Sequence, residues 1–141
     1  MTFNKSPISW QSKRQIFTAQ SSLESEYAAA SENGKEVVWI TRFFNEIGKT
    51  YIQPVPIYMD SQTAIRLAEN PELHQRSKHI DVRHHYIREL VEKEKVVLKH
   101  LPDVEQPADL LTKSIAATPF EEKRRKMGMC NPPVKGERER E

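Results

Sequence analysis

Residues 54–71, Pro-Val-Pro-Ile-Tyr-Met-Asp-Ser-Gln-Thr-Ala-Ile-Arg-Leu-Ala-Glu-Asn-Pro, decide the fold class of this chain. The two leading prolines precede a short apolar strand over residues 57–59, because proline is tolerated at the start of a strand and not in its interior. Asp60 and Ser61 end the strand and begin a helix over residues 62–69, which the last proline stops. A short apolar strand followed directly by a helix is typical of an α/β fold.

A longer helix is indicated upstream of this unit. Ser21 and Glu24 have the spacing of a capping box, in which the serine hydroxyl accepts from a free N–H group of the first turn. The Asn33-Gly34 pair costs the helix about 1 kcal/mol or more relative to alanines. We expect one helix through Gly34, and two helices joined by a turn are the alternative. Apolar residues at intervals of three and four predict its buried stripe: Leu23, Tyr27, Ala30, Val37, Ile40, Phe44 and Ile47.

Further elements flank these two. Residues 7–15 predict a strand that begins at its proline. Residues 72–79 are polar and basic and predict a loop. A helix is expected over residues 80–93 and, after a short turn, a strand over residues 96–101.

The C-terminal part predicts two helices and a tail. Pro107 suits the first position of a helix that runs through residue 115. Thr118 and Pro119 have the cap and first-turn spacing of a last helix. We expect one α/β domain over residues 1–127 and a disordered tail over residues 128–141, since the Pro-Pro pair and the Glu/Arg-rich end offer nothing to bury.

The composition is that of a globular intracellular protein. The 141 residues suffice for one domain, with 37% hydrophobic and 30% charged residues. A formal net charge of +2 does not by itself indicate a nucleic-acid partner. The single cysteine, Cys130, excludes a disulfide within the chain and fits a reducing compartment. No apolar run approaches the roughly 18 residues of a membrane span, so we expect a soluble protein, with no signal that separates cytoplasm from nucleus.

Three carboxylates lie where α/β folds gather their sites, at strand ends and in the first turns of helices. Glu26 borders the predicted stripe, Asp60 ends the strand, and Asp109 lies in the first turn of the helix that begins at Pro107. Each also has a structural explanation: a solvated helix residue, a helix N-cap, and a favourable charge at a helix N-terminus. Together they are consistent with a Mg²⁺ site, because Mg²⁺ takes oxygen ligands and two such ions can drive hydrolysis of a phosphodiester.

Five motifs in order carry a resemblance to a known family. They are Ile8-Ser-Trp-Gln-Ser-Lys-Arg-Gln15, Ser21-Ser-Leu-Glu-Ser-Glu-Tyr27, Ile57-Tyr-Met-Asp-Ser-Gln-Thr-Ala-Ile65, Lys78-His-Ile-Asp-Val-Arg-His-His-Tyr-Ile-Arg-Glu89 and Gln106-Pro-Ala-Asp-Leu-Leu-Thr-Lys113. With these motifs the chain resembles the RNase H domain that ends the Pol polyprotein of copia-type LTR retrotransposons.

The resemblance covers residues 7–127 and implies a fold, an activity and a site. The fold is an RNase H-like mixed sheet with flanking helices. The activity is Mg²⁺-dependent cleavage of the RNA strand of an RNA–DNA hybrid. By motif, Glu26, Asp60 and Asp109 match three of the four catalytic, metal-binding carboxylates.

The fourth carboxylate of the family belongs to a first strand ahead of the Trp10 motif. Residues 1–9 contain no aspartate or glutamate. The resemblance therefore implies that the first strand and most of the second are absent. We expect the isolated chain to be inactive as a nuclease and aggregation-prone through its exposed strand edges. Its partners would be a hybrid duplex and the missing strands or the rest of the Pol polyprotein.

A basic stretch precedes the helix expected over residues 80–93. It predicts contacts with nucleic-acid phosphates through Arg76, Lys78, His79 and Arg83. A solvated basic loop is the alternative, and a zinc site is a weaker one, with His79, Asp81, His84 and His85 as its ligands.

Alternatives remain open for the basic run over residues 123–126 and for the function of the whole chain. The run either contacts backbone phosphate or complements the dipole of its helix. The whole chain is either a remnant of the ribonuclease that needs the missing strands, or a non-catalytic nucleic-acid-binding or interaction domain, or a truncated reading frame with no present role.

Overall fold

The structure, a computed structural model, describes residues 1–15, 18–19, 21–70 and 85–130. The chain forms two compact units, Ile16–Val104 and Met1–Gln15 with Glu105–Glu141. The helices and strands are β1 Thr2–Phe3, β2 Ser6–Pro7, α1 Ser22–Glu46, β3 Val55–Met59, α2 Gln62–Glu69, α3 His85–Glu92, β4 Val96–His100 and α4 Ala117–Lys126, with 3₁₀ helices at Asp103–Glu105 and Pro107–Leu111. The α/β class predicted from the sequence is confirmed.

A parallel pair of strands forms the centre of the larger unit. β3 pairs with β4 so that Ile57 lies opposite Leu98. α1 packs on β3 and α3, whereas α2 and α3 cover β4. The core of this unit consists of buried apolar side chains, among them Tyr27, Val37, Ile40, Ile57, Met59, Ala64, Leu67, Ile87, Leu90, Val96 and Leu98.

α1 is a single helix through Gly34, as predicted. Its N-cap is Ser21, whose Oγ accepts from the backbone N–H of Glu24 at 3.1 Å. Gly34 is buried, and a Cβ added there would lie 2.8 Å from Cδ1 of Leu90 and 3.3 Å from Cδ1 of Ile87. The glycine therefore allows close packing of α1 on α3, which explains its place inside a helix.

The remaining predictions for the larger unit are largely confirmed. The expected strand is extended to residues 55–59, α2 has the predicted bounds, and β4 ends one residue earlier than expected. Glu94 adopts a φ of 51° in the turn that joins α3 to β4. The loop expected over 72–79 and the start of the following helix lie outside the described residues.

The smaller unit differs from the prediction at its N-terminus. β1 and β2 form an antiparallel hairpin, reversed by Asn4 and Lys5 with φ of 49° and 62°. Positive φ at both central residues is typical of the tight turns that join two strands. The strand expected over residues 7–15 is wrong, because the turn pairs residues 6–7 with 2–3 and no strand is formed over residues 8–15.

The C-terminal helices begin and end differently from their sequence signals. The helix that begins at Pro107 is a short 3₁₀ helix and ends at Leu111 instead of residue 115. α4 begins at Ala117, with Ala116 as an N-cap that lacks a side-chain hydrogen bond, so the cap predicted at Thr118 is wrong. Pro119 is accommodated because the first N–H groups of a helix have no partner within it. Of the expected tail, residues 131–141 lie outside the described residues.

Candidate active-site carboxylates

Glu26 lies on α1 and is half-buried, next to the buried Tyr27. Its neighbour Tyr27 is 1% exposed. Burial raises the pKa of the Tyr27 hydroxyl, and the positive charge of Arg88 on α3 offsets part of this rise. Arg88 Nη1 also lies 3.0 Å from Nδ1 of His85. The Arg88 charge thus acts on the Tyr27 hydroxyl where α1 packs on α3.

Asp60 lies at the carboxyl end of the parallel pair. Asp60 is half-buried and directly follows β3. Its backbone oxygen lies 3.1 Å from Nε2 of His100, the last residue of β4. The backbone N–H of Leu101 donates to the oxygen of Met59 at 2.8 Å, so the two strand ends are joined immediately before Asp60. Ligand sites in α/β sheets form outside the carboxyl ends of parallel strands.

The structural explanation offered for Asp60 is wrong. Ser61, not Asp60, is the N-cap of α2, and its Oγ accepts from the backbone N–H of Ala64 at 3.2 Å. The helix therefore gains its cap without the aspartate. The Asp60 carboxylate is left for another role at the end of the sheet.

Asp109 lies in the smaller unit, in the 3₁₀ helix Pro107–Leu111, and it is buried. Lys123 Nζ lies 2.8 Å from its Oδ2, and Lys113 Nζ lies 2.9 Å from its Oδ1. Burial raises the pKa of Asp109, but the hydrogen bonds and charges of the two lysines lower it by a larger amount. The pKa of Asp109 therefore lies below its usual value. Both carboxylate oxygens are therefore used in ion pairs.

The smaller unit does not offer Asp109 as a ready metal ligand. Mg²⁺ requires direct access to carboxylate oxygens at about 2.0–2.1 Å, and both oxygens already contact ammonium groups. Among the described residues, no group of three or more His, Cys, Asp or Glu side chains could hold a metal ion. In this arrangement Asp109 does not fit the Mg²⁺ site that the resemblance implies.

Sequence reasoning missed Lys123 as a partner of the Asp109 carboxylate and His100 as a partner of the Asp60 backbone oxygen. Lys123 belongs to the basic run over residues 123–126. The sequence predicted for that run either a contact with backbone phosphate or a favourable interaction with the helix dipole. It lies 14 positions from Asp109 in the sequence, and no local pattern joins the two. His100 ends β4, and only the parallel pairing with β3 places it beside Asp60.

The predicted nucleic-acid residues Arg76, Lys78, His79 and Arg83 lie outside the described residues, as do Asp81 and His84 of the zinc alternative. His85 opens α3 and contacts Arg88. Among the helices that the structure describes, none combines the length and apolar character needed to cross a membrane.

Curated relatives match most of the chain. The retrovirus-related Pol polyprotein from transposon TNT 1-94 of Nicotiana tabacum is 46% identical over 131 residues, which are 91% of this chain and 10% of the relative. That from transposon RE1 of Arabidopsis thaliana is 36% identical over 127 residues, 90% of this chain and 9% of the relative. This chain is homologous to part of transposon Pol polyproteins.

The match to these Pol polyproteins covers most of this chain but only a small part of each relative. It extends over nearly the whole chain, whereas the chain spans about a tenth of the length of the curated relatives it matches. No family model matches the chain. No solved structure matches it either.

Proposed function

We propose that this chain derives from a copia-type retrotransposon and forms part of an RNase H-like domain that cleaves the RNA strand of an RNA–DNA hybrid. Glu26 and Asp60 are the catalytic carboxylates of the larger unit in this proposal, and Mg²⁺ is the cofactor of the completed domain. The observation that carries it is the position of Asp60, at the carboxyl end of the parallel pair and not used as the cap of α2. The relation to Pol polyproteins supports it.

The catalytic groups act on the hybrid through charge and position in this proposal. A carboxylate at the end of a rigid strand and a second one on a helix that packs on that strand are held by packing and not by loops. Mg²⁺ would supply the Lewis acid that activates water and stabilises the leaving oxygen. Asp109 is the third carboxylate of the motif pattern, and both of its oxygens are held in ion pairs with Lys113 and Lys123.

The larger unit offers surface for a further strand. In the described part of the chain, β3 pairs with β4 and with no other strand. Beside the buried stripe of α1, Trp39 stacks on Phe43 with ring centroids 6.1 Å apart, and Trp39 is 63% exposed. Contiguous exposed apolar surface is a feature of protein interaction sites. We propose that a strand from the preceding part of a Pol polyprotein pairs with β3 and covers these rings.

The test combines this chain with a segment that supplies the strand. The chain is co-expressed with the segment that precedes the matched region in the Nicotiana tabacum relative, and a labelled RNA–DNA hybrid is incubated with the purified complex and Mg²⁺. We expect cleavage by the complex and none by the chain alone. Glu26→Gln and Asp60→Asn should each abolish it, whereas Glu46→Gln, an exposed change at the end of α1, should not.

A second candidate is a nucleic-acid-binding or interaction domain without catalysis. The ion pairs of Asp109 favour it, because they occupy a carboxylate that the ribonuclease pattern requires. Hybrid binding by the complex without cleavage would support this candidate and contradict the ribonuclease. Cleavage that survives Glu26→Gln and Asp60→Asn would come from a contaminating nuclease and would also contradict the ribonuclease.

A further inference from the structure

Lys123 is the buried cation of α4. Its side chain is 9% exposed, against 50% for Lys113, and it reaches Asp109 Oδ2 and the backbone oxygen of Gln106, both at 2.8 Å. Within the same helix, Lys126 is exposed and Arg124 pairs locally with Glu121. Of the basic run, Lys123 is buried, Arg124 is partly buried, and Arg125 and Lys126 are exposed.

Two contacts from one ammonium group join α4 to the preceding 3₁₀ helix. Gln106 is the N-cap of that 3₁₀ helix, and Asp109 lies in its first turn. The Lys123 ammonium therefore contacts the backbone carbonyl of the N-cap residue and a carboxylate in the first turn of the 3₁₀ helix. Because both paired side chains are largely buried, the pair is a fastening point of the smaller unit.

The same ammonium group stands where a cation would bind. A divalent ion on Oδ2 would sit about 2.0–2.1 Å from the oxygen, beside an ammonium that is itself 2.8 Å away. Like charges at such a separation repel strongly, and more so in a partly dehydrated site than in water. An ion on Asp109 and an ion pair with Lys123 therefore exclude each other.

We propose that Lys123 is an internal counter-ion of Asp109, which fastens α4 to the 3₁₀ helix and closes the carboxylate to divalent cations. The fastening of α4 to the 3₁₀ helix does not depend on the proposed function. The biological role of the closure to divalent cations rests on the proposed function. In a completed ribonuclease, withdrawal of Lys123 would expose Oδ2 of Asp109, while Lys113 would still contact Oδ1. α4 would then act as an autoinhibitory element of its own unit.

The fastening is tested by thermal unfolding of the full chain. Removing one partner of a buried pair is costly because the other charge stays buried. Lys123→Met should lower the midpoint by about 10 °C, whereas the matched exposed change Lys126→Met should leave it within about 2 °C. Asp109→Asn and Lys123→Met should not add in the double variant, because they break the same contact. Additive effects, or equal effects of the two lysine variants, would overturn the fastening.

The closure is tested with Mn²⁺ as the probe and backbone amide NMR signals of Ala108 and Leu110 as the readout. In the unmodified chain we expect these signals to keep their intensity when Mn²⁺ is added. In Lys123→Met they should lose intensity at least about twofold more, and Asp109→Asn on that background should restore them. Broadening in the unmodified chain, or none in Lys123→Met, would overturn the closure.

A measurement on the unmodified chain covers the case in which Lys123→Met does not fold. The ¹⁵N-labelled ammonium of Lys123, held by two oxygens and buried, should exchange its protons with water more slowly than that of Lys126. Equal exchange would contradict the ion pair. Neither NMR measurement uses hybrid cleavage, so a chain that never cleaves hybrid can still pass both.

Discussion

Gly34 of α1 lies against Leu90 of α3, so closely that a Cβ on the glycine would be 2.8 Å from Cδ1 of the leucine. Two effects oppose each other in Gly34→Ala. Alanine gains about 1 kcal/mol of helix propensity over glycine. Overpacking a buried contact costs about 1–3 kcal/mol. Because Leu90 is itself buried and has little room to move, we expect the overlap to win and the free energy of unfolding in urea to fall by about 1 kcal/mol.

The background variant Leu90→Ala provides the control for this contact. The truncation alone should cost about 2–5 kcal/mol because it removes buried atoms. It also removes the nearer of the two side-chain atoms that the new methyl group meets, and Cδ1 of Ile87 at 3.3 Å is the other. Gly34→Ala made on that background should therefore stabilise the chain by up to about 1 kcal/mol. If Gly34→Ala has the same sign in both backgrounds, the close approach of α1 and α3 does not decide the choice of glycine.

Ser61→Ala separates the cap of α2 from the candidate catalytic carboxylate. The serine accepts from the backbone N–H of Ala64, and loss of such a cap costs about 1 kcal/mol. Asp60→Asn leaves this hydrogen bond intact, so its effect on the free energy of unfolding should stay within about 0.5 kcal/mol. Urea unfolding of both variants checks the difference. A larger loss for Asp60→Asn than for Ser61→Ala would return the capping role to Asp60.

The sequence predicted those elements whose signals are local. The cap at Ser21, the run that ends at Asp60 and the period of α1 each lie within one or two turns of chain, and the structure confirms the elements that they predict. The hairpin was not predicted because its turn residues, Asn4 and Lys5, lack the glycine that usually marks such a turn, whereas Pro7 favoured the start of a strand. The contact between Asp109 and Lys123 joins residues 14 positions apart, and only packing brings them together.

Acidification should reveal the ion pairs of Asp109. The pKa of this carboxyl lies below its ordinary value of 3.8 because the contacts with Lys123 and Lys113 outweigh burial. A carboxyl with a lowered folded-state pKa contributes stability above pH 3.8, and this contribution is lost as the pH falls through the folded pKa. We expect the difference in unfolding free energy between the unmodified chain and Asp109→Asn to shrink between about pH 5 and pH 2. A difference that does not change with pH would contradict the ion pairs.

The two lysines that contact Asp109 should contribute unequally. Lys113 is half exposed, so water and salt screen its pair, and Lys113→Met should cost less than about 1 kcal/mol. Lys123 is buried, and Lys123→Met should cost about 3–5 kcal/mol because Asp109 stays buried without its inner partner. Added salt should reduce the effect of Lys113→Met and leave that of Lys123→Met nearly unchanged. Equal losses in urea unfolding would show that burial does not separate the two pairs.

The exposed rings of α1 should govern self-association of the isolated chain. Trp39 and Phe43 stack with 63% and 46% of their surface exposed, so replacing both with serine removes exposed apolar surface at a stability cost of about 1–3 kcal/mol. We expect the Trp39→Ser/Phe43→Ser variant to sediment as a smaller species than the unmodified chain at equal concentration. Arg42→Ser, an exposed change between the two rings, should not alter sedimentation. In co-expression with the strand-supplying segment, the ring variant should recover several-fold less complex, because the surface that the strand covers has been changed. Unaltered sedimentation together with full recovery of the complex would remove this surface from the proposed assembly.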